Sequence, residues 1–414
     1  MQALRRVAIV SATRTPIGTF GGSLMKLKNH DLAAVAIKDA VAQVPNLDAS
    51  SLGDVRIGCC MEDIESLNVA RVASLLAGIP ETVPAVTTNR VCTSSMEALI
   101  TATLQIQAGW INSAVVGGVE SMSNAPYVLP DARWGARFQD STMKDSIVHA
   151  LHAGSKVIKY PSDGPVEWAR GKPYIMGLTA EFLAEKYGFT REQQDEVALR
   201  SQNNAERAST TGIFDSEITP VVIKGKKGKE TIVSKDEHFK PGLTMDQLAS
   251  LPPAFIPKTG TVTAGNSSGI NDGACAMVIM AEEEAERQGI EPLAYVTGAG
   301  MGACSPDMMG CSPVPAVHNL MERTGRKSVN EWERVEVNEA FAAQYLAVEK
   351  ELELNREVTN VNGSGIGLGH PVGCTGGRIV VSLLHELKRS DLKTGMATLC
   401  GGGGVSVAVE IQRP

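Results

Sequence analysis

Apolar and polar positions follow two rhythms along this chain. Val7–Val10 is a short apolar run of strand type, Asp31–Val44 carries helical spacing, Asp54–Cys60 returns to a strand, and Asn68–Ala77 is again helical. Thr93 to Ala108 has helical character, Gly109 stops it, and Ala114–Val119 reads as a buried strand ending in Glu120-Ser121-Met122-Ser123. A strand before Cys92 would complete a β-Cys-α-β unit. Alternation of this kind predicts an α/β fold.

The second half repeats the arrangement. Val358–Val361 leads to a glycine-rich turn, His370-Pro371, a helix near Arg378–Leu387, a strand Met396–Cys400, glycines and a strand Val405–Ile411. Two similar halves predict an internal duplication, and they put Cys92 and His370 in matching places. Between them the texture changes to charged and polar residues, with Pro161, Pro165 and Pro173, a basic run at Lys224–Lys229, and Pro252-Pro253. This predicts an inserted lobe that covers the site, because long excursions from an α/β core tend to carry binding or lid functions.

Composition narrows the function. With 414 residues, 43% hydrophobic and 21% charged, the chain can bury large cores. A net charge of −7 gives no basic footprint for nucleic acid or an anionic membrane. The basic start, Met1 to Arg6, leads only into Val7–Val10 before Ser11 and Arg14 interrupt it, so no signal peptide is expected. No apolar stretch approaches the roughly 20 residues that span a bilayer, and a cytoplasmic enzyme is expected. Eight cysteines without a CxxC pair read as reduced thiols, and His149 and His152 lack supporting ligands, so no metal site is expected.

Gly298-Ala-Gly-Met-Gly-Ala303 fits a dinucleotide fingerprint by spacing, after the apolar Leu293–Val296. A pyrophosphate turn must open a helix, whereas Pro306, Gly310, Pro313 and Pro315 follow here, so NAD binding is not expected. In Gly363–Gly369 the third glycine position is Leu368, and no phosphate loop of the GxxxxGK[ST] kind exists.

What remains needs no cofactor. Cys92 sits in Asn89-Arg-Val-Cys92-Thr-Ser-Ser95, where backbone N–H groups at a helix start would favour a thiolate. His370-Pro371 follows glycines, Cys400 precedes four glycines, and Asn338-Glu-Ala-Phe341 is a further polar segment. Taken singly, each has a structural reading: a small buried Cys, a His-Pro turn, a strand-end Cys.

Jointly these segments resemble the thiolase family along nearly the whole chain. The matching stretches are Val7-Ala-Ile-Val-Ser-Ala-Thr-Arg-Thr-Pro16, Asn89-Arg-Val-Cys92, Gly117-Gly-Val-Glu-Ser-Met-Ser123, Thr263 to Gly273, Val337-Asn-Glu-Ala-Phe-Ala342, Gly369-His-Pro-Val-Gly373 and Cys400-Gly-Gly-Gly403. The resemblance implies an α/β thiolase fold: two duplicated βαβαβαββ-type halves in α-β-α-β-α layers with an inserted loop domain. It places the N-terminal half at 1–121 plus 270–291, the loop domain at 122–269 and the C-terminal half at 292–414.

The resemblance further implies reversible thiolysis or Claisen condensation of acyl-CoA. The substrates would be two acetyl-CoA or a longer 3-oxoacyl-CoA. Cys92 would be acylated, His370 would take its proton, and Cys400, at a near-neutral pKa, would move the α-carbon proton. Asn338 with His370 would form one oxyanion hole, and the N–H groups of Cys92 and Gly402 the other. Asn338 stands where related ketoacyl synthases carry a second His. Ser268, Met176, Met309, Phe341 and Lys226 would contact substrate, with Lys226 near the nucleotide phosphates. Coenzyme A enters as substrate and product, with no tightly bound cofactor, and the family forms homodimers or homotetramers. A non-catalytic subunit that binds acyl-CoA or scaffolds a partner stays open as the alternative.

Three departures from the short acetoacetyl-CoA thiolases bear on substrate. About fifteen extra residues lie within Ala153 to Lys172, Ile175 replaces a His before Met176, and Thr93 follows the nucleophile where a smaller residue is usual. Thr93 would either narrow the pocket or stiffen the turn.

Overall fold

The computed structural model describes residues 4–414, so Met1 to Ala3, half of the basic start, lie outside the described residues. Strands Val7–Arg14, Ser113–Ser121 and Asn271–Ala281 are buried along their whole length. That is why they read as continuous apolar runs: both faces of the sheet are covered.

The two halves share one topology. In the N-terminal half, strands Val7–Arg14, Asp54–Gly58, Ala85–Thr88, Ser113–Ser121 and Asn271–Ala281 lie in the spatial order third, second, fourth, fifth, first. In the C-terminal half, Ala294–Ala303, Arg334–Val337, the bridging residue Thr359, Thr394–Gly401 and Val405–Gln412 repeat that order. Pairing directions agree as well: the second strand is parallel to the third and fourth, and the fourth–fifth and fifth–first pairs are antiparallel. Val7–Ile9 pairs antiparallel with Ala294–Val296 and joins the halves into one ten-stranded sheet.

Helices Ser94–Gln107 and Thr375–Arg389, each placed after the third strand of its half, share the central layer. Met96, Leu99, Ile379, Val380 and Leu383 pack there with Val116, Met277, Leu399 and Val407. Asn29–Ala42 and Val69–Leu76 cover the outer face of one half. Pro313–Thr324 and Ala342–Leu352 cover that of the other. The result is the α-β-α-β-α layering.

Gly298-Ala-Gly-Met-Gly-Ala303 lies within a strand, Ala294–Ala303. A Cβ on Gly300 would lie 2.2 Å from the Ala316 carbonyl oxygen, and one on Gly302 would lie 2.3 Å from the Ala316 nitrogen. These glycines let helix Pro313–Thr324 settle on the sheet. The turn expected at Gly363–Gly369 holds one short helical piece, Gly365–Leu368, pressed against Ser201, whose carbonyl oxygen would lie 2.4 Å from a Cβ on Gly367.

The excursion between Ser121 and Asn271 holds helices Met176–Tyr187 and Arg191–Thr210. Its extra loop is closed at the base by Met176 N–H to Leu151 O at 2.9 Å and Tyr174 N–H to Ser155 Oγ at 3.0 Å. Tyr160, Val166, Ala169 and Tyr174 are buried against Phe182 and Met176. Among the described residues no helix is long and apolar enough to cross a membrane.

Candidate active site

Cys92 is aimed by a tight turn. Val91, just before it, holds φ at +52°, a conformation that costs a β-branched residue energy and persists only when its surroundings impose it. They do: Val91 N–H bonds Asn89 Oδ1 at 2.9 Å, and Val91 O accepts from Cys60 Sγ at 2.9 Å and from the Ser94 hydroxyl at 2.5 Å. Thr93 is fully buried, and its hydroxyl donates to Arg90 O at 2.8 Å. It stiffens the turn and does not line the pocket.

The second central helix brings up His370. Ser95 Oγ accepts from Gly377 N–H at 2.7 Å and donates to Cys374 O at 3.0 Å, tying the starts of the two central helices together. A Cβ on Gly376 would lie 2.9 Å from Met96 Cβ, so glycine there permits the approach. His370 N–H donates to Asn271 Oδ1 at 3.0 Å. The Thr375 hydroxyl donates to Pro371 O at 2.9 Å, and its oxygen lies 2.7 Å from His370 Nδ1. A hydroxyl has one proton, already given to Pro371, so Nδ1 carries the hydrogen and Nε2 is left as the acceptor.

Cys92, His370, Cys400 and Gly402 line one cavity of about 320 Å³, together with Ser268, Met176, Met309 and Phe341. Its remaining wall is mostly apolar and includes Met61, Met122, Leu151 and Ile175. Ser268 N–H bonds Ala340 O at 2.9 Å, which pins the 263–270 loop to the segment carrying Asn338 and Phe341. Asn338 is fully buried and does not line the cavity. Among the described residues neither its Oδ1 nor its Nδ2 has a hydrogen-bond partner. Lys226 stands apart, in an exposed turn between strands Val221–Lys224 and Glu230–Val233.

Electrostatics correct two expectations. Burial pushes the Cys92 thiol up to about 11, against the N–H groups of Gly402 and of Cys92 itself, which hydrogen-bond the sulfur; Glu120 adds to the rise. Desolvation therefore outweighs the helix start, and Cys92 rests as a protonated thiol. Burial, reinforced by neighbouring Cys92, also raises Cys400 well above the ordinary thiol value, so it is not near neutrality. Burial and then the Arg378 charge lower His370 to about 3, leaving a neutral imidazole at physiological pH. The three groups rest uncharged, so an attack by the Cys92 sulfur on a carbonyl would require its proton to pass to an acceptor such as His370 Nε2.

Several residues that matter here carried no role in the sequence reading. Thr375 lies five positions after His370, and Asn271 was visible only as part of a matching stretch. Glu120 is the one charged residue in an otherwise uncharged strand, the one sequence signal that marks it. Among the described residues no three His, Cys, Asp or Glu side chains gather to hold a metal ion.

The chain matches the thiolase N-terminal domain over residues 7–283 and the thiolase C-terminal domain over residues 290–413. It is 40% identical over 411 residues to a probable acetyl-CoA acyltransferase of Staphylococcus epidermidis, covering 99% of each chain. It is 42% identical over 407 residues to an acetyl-CoA acetyltransferase of Cupriavidus necator, covering 98% of this chain and 99% of that one. Among solved structures, the Bacillus anthracis acetyl-CoA acetyltransferase superimposes with a TM-score of 0.92 at 45% identity over 100% of both chains. Human mitochondrial 3-ketoacyl-CoA thiolase does so with 0.90 at 37% identity over 99% of both. Sequence and fold agree from end to end, and the chain belongs to the thiolase family, as an enzyme of the thiolase type.

Proposed function

We propose that this enzyme cleaves and forms 3-oxoacyl-CoA through an acyl group carried on Cys92, with His370, Cys400 and Asn338 completing the site. The observation that carries this reading is the convergence of Cys92, His370 and Cys400 on one apolar cavity whose wall also holds the N–H of Gly402. In cleavage, the Cys92 sulfur attacks the 3-oxo carbon as its proton passes to His370 Nε2. Breaking the C2–C3 bond sends its electron pair to C2, which takes the Cys400 proton. The resulting Cys400 thiolate accepts the proton of incoming coenzyme A, whose sulfur attacks the acyl carbon. Cys92 leaves and regains its proton from His370.

A hard-to-ionise Cys400 suits this direction, because a thiol that stays protonated is available to quench the carbanion. The N–H groups of Cys92 and Gly402, already directed at the sulfur, would receive the oxyanion of the acyl group on Cys92. Asn338 has spare donor and acceptor capacity beside the loop carrying Ala340 and Phe341, which supports its holding a water for the second oxyanion with His370. Ser268 and Phe341 are proposed to flank the pantetheine arm, and Met176 and Met309 the acyl end. The adenine nucleotide must lie outside a cavity of this size, and Lys226, in its exposed turn, is proposed as a phosphate contact.

Four methionines, Met61, Met122, Met176 and Met309, line the cavity, and flexible thioethers adapt to acyl chains of different length. The extra loop backs Met176 through Tyr160 and Tyr174. We therefore propose acyl chains longer than acetoacetyl among the substrates. The proposed domain division stays at 1–121 with 270–291, 122–269 and 292–414.

A symmetric dimer is supported by the edge strand Ala85–Thr88 and its neighbourhood, where Ile64, Leu67, Leu75, Leu76 and Val86 are exposed. The test is coenzyme A-dependent cleavage of acetoacetyl-CoA and of 3-oxodecanoyl-CoA, beside Cys92→Ser. Turnover of both that vanishes in the variant is expected. Turnover that survives in Cys92→Ser overturns the mechanism, and turnover of acetoacetyl-CoA alone overturns the chain-length reading.

A further inference from the structure

Glu120, next to last in the strand Ser113–Ser121, is a fully buried carboxylate that accepts from donors on two different loops. Its Oε1 accepts from Met61 N–H at 2.9 Å and from Cys59 Sγ at 3.6 Å. Its Oε2 accepts from Cys60 N–H at 3.1 Å and from Gly373 N–H at 2.8 Å. We propose that Glu120 is a positioning residue that fixes the turn carrying Cys92 against the loop carrying His370, and so sets the distance over which the thiol proton passes.

The connection runs through named contacts on both sides. Cys60, held by Glu120, donates its S–H to Val91 O at 2.9 Å, and Val91 is the strained residue that aims Cys92. Gly373 is three residues beyond His370, and a Cβ there would lie 2.9 Å from Glu120 Oε2, so glycine is what lets the loop close on the carboxylate. The Cys59–Met61 loop follows the second strand of the N-terminal half, and Gly373 belongs to the C-terminal half. Burial raises the Glu120 carboxyl above its ordinary value, against the N–H groups of Met61, Gly373 and Cys60 that favour the ionised form, and this one side chain bridges the halves at the point where nucleophile and base must meet. A carboxylate accepts on both oxygens, which a carboxamide cannot do against four donors.

The same charge acts on Cys92. Glu120 contributes to the raised Cys92 thiol, alongside burial, while the N–H groups of Gly402 and Cys92 pull the other way. The other groups facing Cys92 are the Cys60 and Cys400 thiols and the neutral imidazole of His370. Removing the charge should therefore ease ionisation of Cys92 while it loosens the geometry for catalysis. Ionisation and turnover would then move in opposite directions at unchanged Tm, whereas general loss of structure, which also exposes the thiol and eases its ionisation, lowers Tm as well.

The test uses the full-length enzyme as Glu120→Gln and Glu120→Asp. For each, kcat and KM in thiolysis, the pH dependence of iodoacetamide labelling at the Cys92 peptide, and Tm are measured. In Glu120→Gln, kcat should fall about 10- to 100-fold with little change in KM for coenzyme A, as displacement of reacting groups by about 1 Å does. Its labelling midpoint should move to lower pH, because Glu120 is one of the groups that raise the thiol. Glu120→Asp keeps the charge but is one methylene short, so kcat should fall while the midpoint stays. Wild-type kcat in either variant overturns the proposal, as does a loss of kcat in Glu120→Gln that comes with a matching fall in Tm. If Glu120→Gln does not fold, Glu120→Asp decides: reduced kcat at wild-type Tm supports the assignment, and wild-type kcat refutes it.

Discussion

Replacing Thr375 by Val tests how His370 is made a base. Val is close to Thr in shape, so the helix start should keep its packing while losing one hydroxyl. That hydroxyl makes two bonds, to Pro371 O at 2.9 Å and to His370 Nδ1 at 2.7 Å, in a fully buried position. Without it the Nδ1 hydrogen has no acceptor, and a buried unpaired donor costs about 1–3 kcal/mol. The ring can avoid that cost by moving its hydrogen to Nε2, where it presents a donor to Cys92 in place of an acceptor. Either route removes roughly 5- to 150-fold from the acylation rate. Substrate binding should be nearly unchanged, since Thr375 does not line the cavity. The assay is rapid-mixing measurement of acyl transfer to Cys92, with Thr375→Ser as the control that keeps the hydroxyl. A Thr375→Val enzyme that acylates within twofold of wild type, with Thr375→Ser no better, would refute the tautomer assignment.

Other expectations concern separate parts of the account. Asn338→Ala should lower kcat about 100- to 1000-fold through loss of the water it is proposed to hold as an oxyanion donor, with coenzyme A binding retained by calorimetry; a loss below tenfold would remove Asn338 from the chemistry. Gly300→Val should destabilise by at least about 1–3 kcal/mol, read as a lowered denaturation midpoint, because its Cβ would meet the Ala316 backbone at 2.2 Å. Burial lowers His370 to about 3 from an ordinary 6.5, so the unfolded chain takes up that proton first. Stability should accordingly fall as pH drops below about 6.5 and level off near 3, and His370→Asn should flatten that part of the curve in denaturant titrations at stepped pH.

Much of the fold could be read from the sequence because its causes are local. The strands are apolar runs covered on both faces, and the repeat of strand, helix and strand around Cys92 and His370 survives in the matching strand order of the two halves. The glycines at 298, 300 and 302 were readable only as a motif to be rejected. Their purpose depends on a helix that arrives from further along the chain. The state of the thiols was not readable either, since desolvation follows from the packing of the whole site and overrides the helix-start effect that a short motif suggests. Glu120 shows the same limit: its donors come from residues 59–61 and 373, and no linear pattern joins them. The choice left open for Thr93 is settled by its hydroxyl, which is turned to Arg90 O and away from the cavity.

The central claim is that Cys92 carries the acyl group, and trapping that intermediate tests it most directly. The enzyme is mixed with acetyl-CoA, quenched in acid and digested, and its peptides are examined by mass spectrometry. The account predicts one acetyl group on the peptide containing Cys92 and none in Cys92→Ser. It also predicts release of the label on addition of coenzyme A. Acetylation at Cys60 or Cys400 with Cys92 unmodified would contradict it.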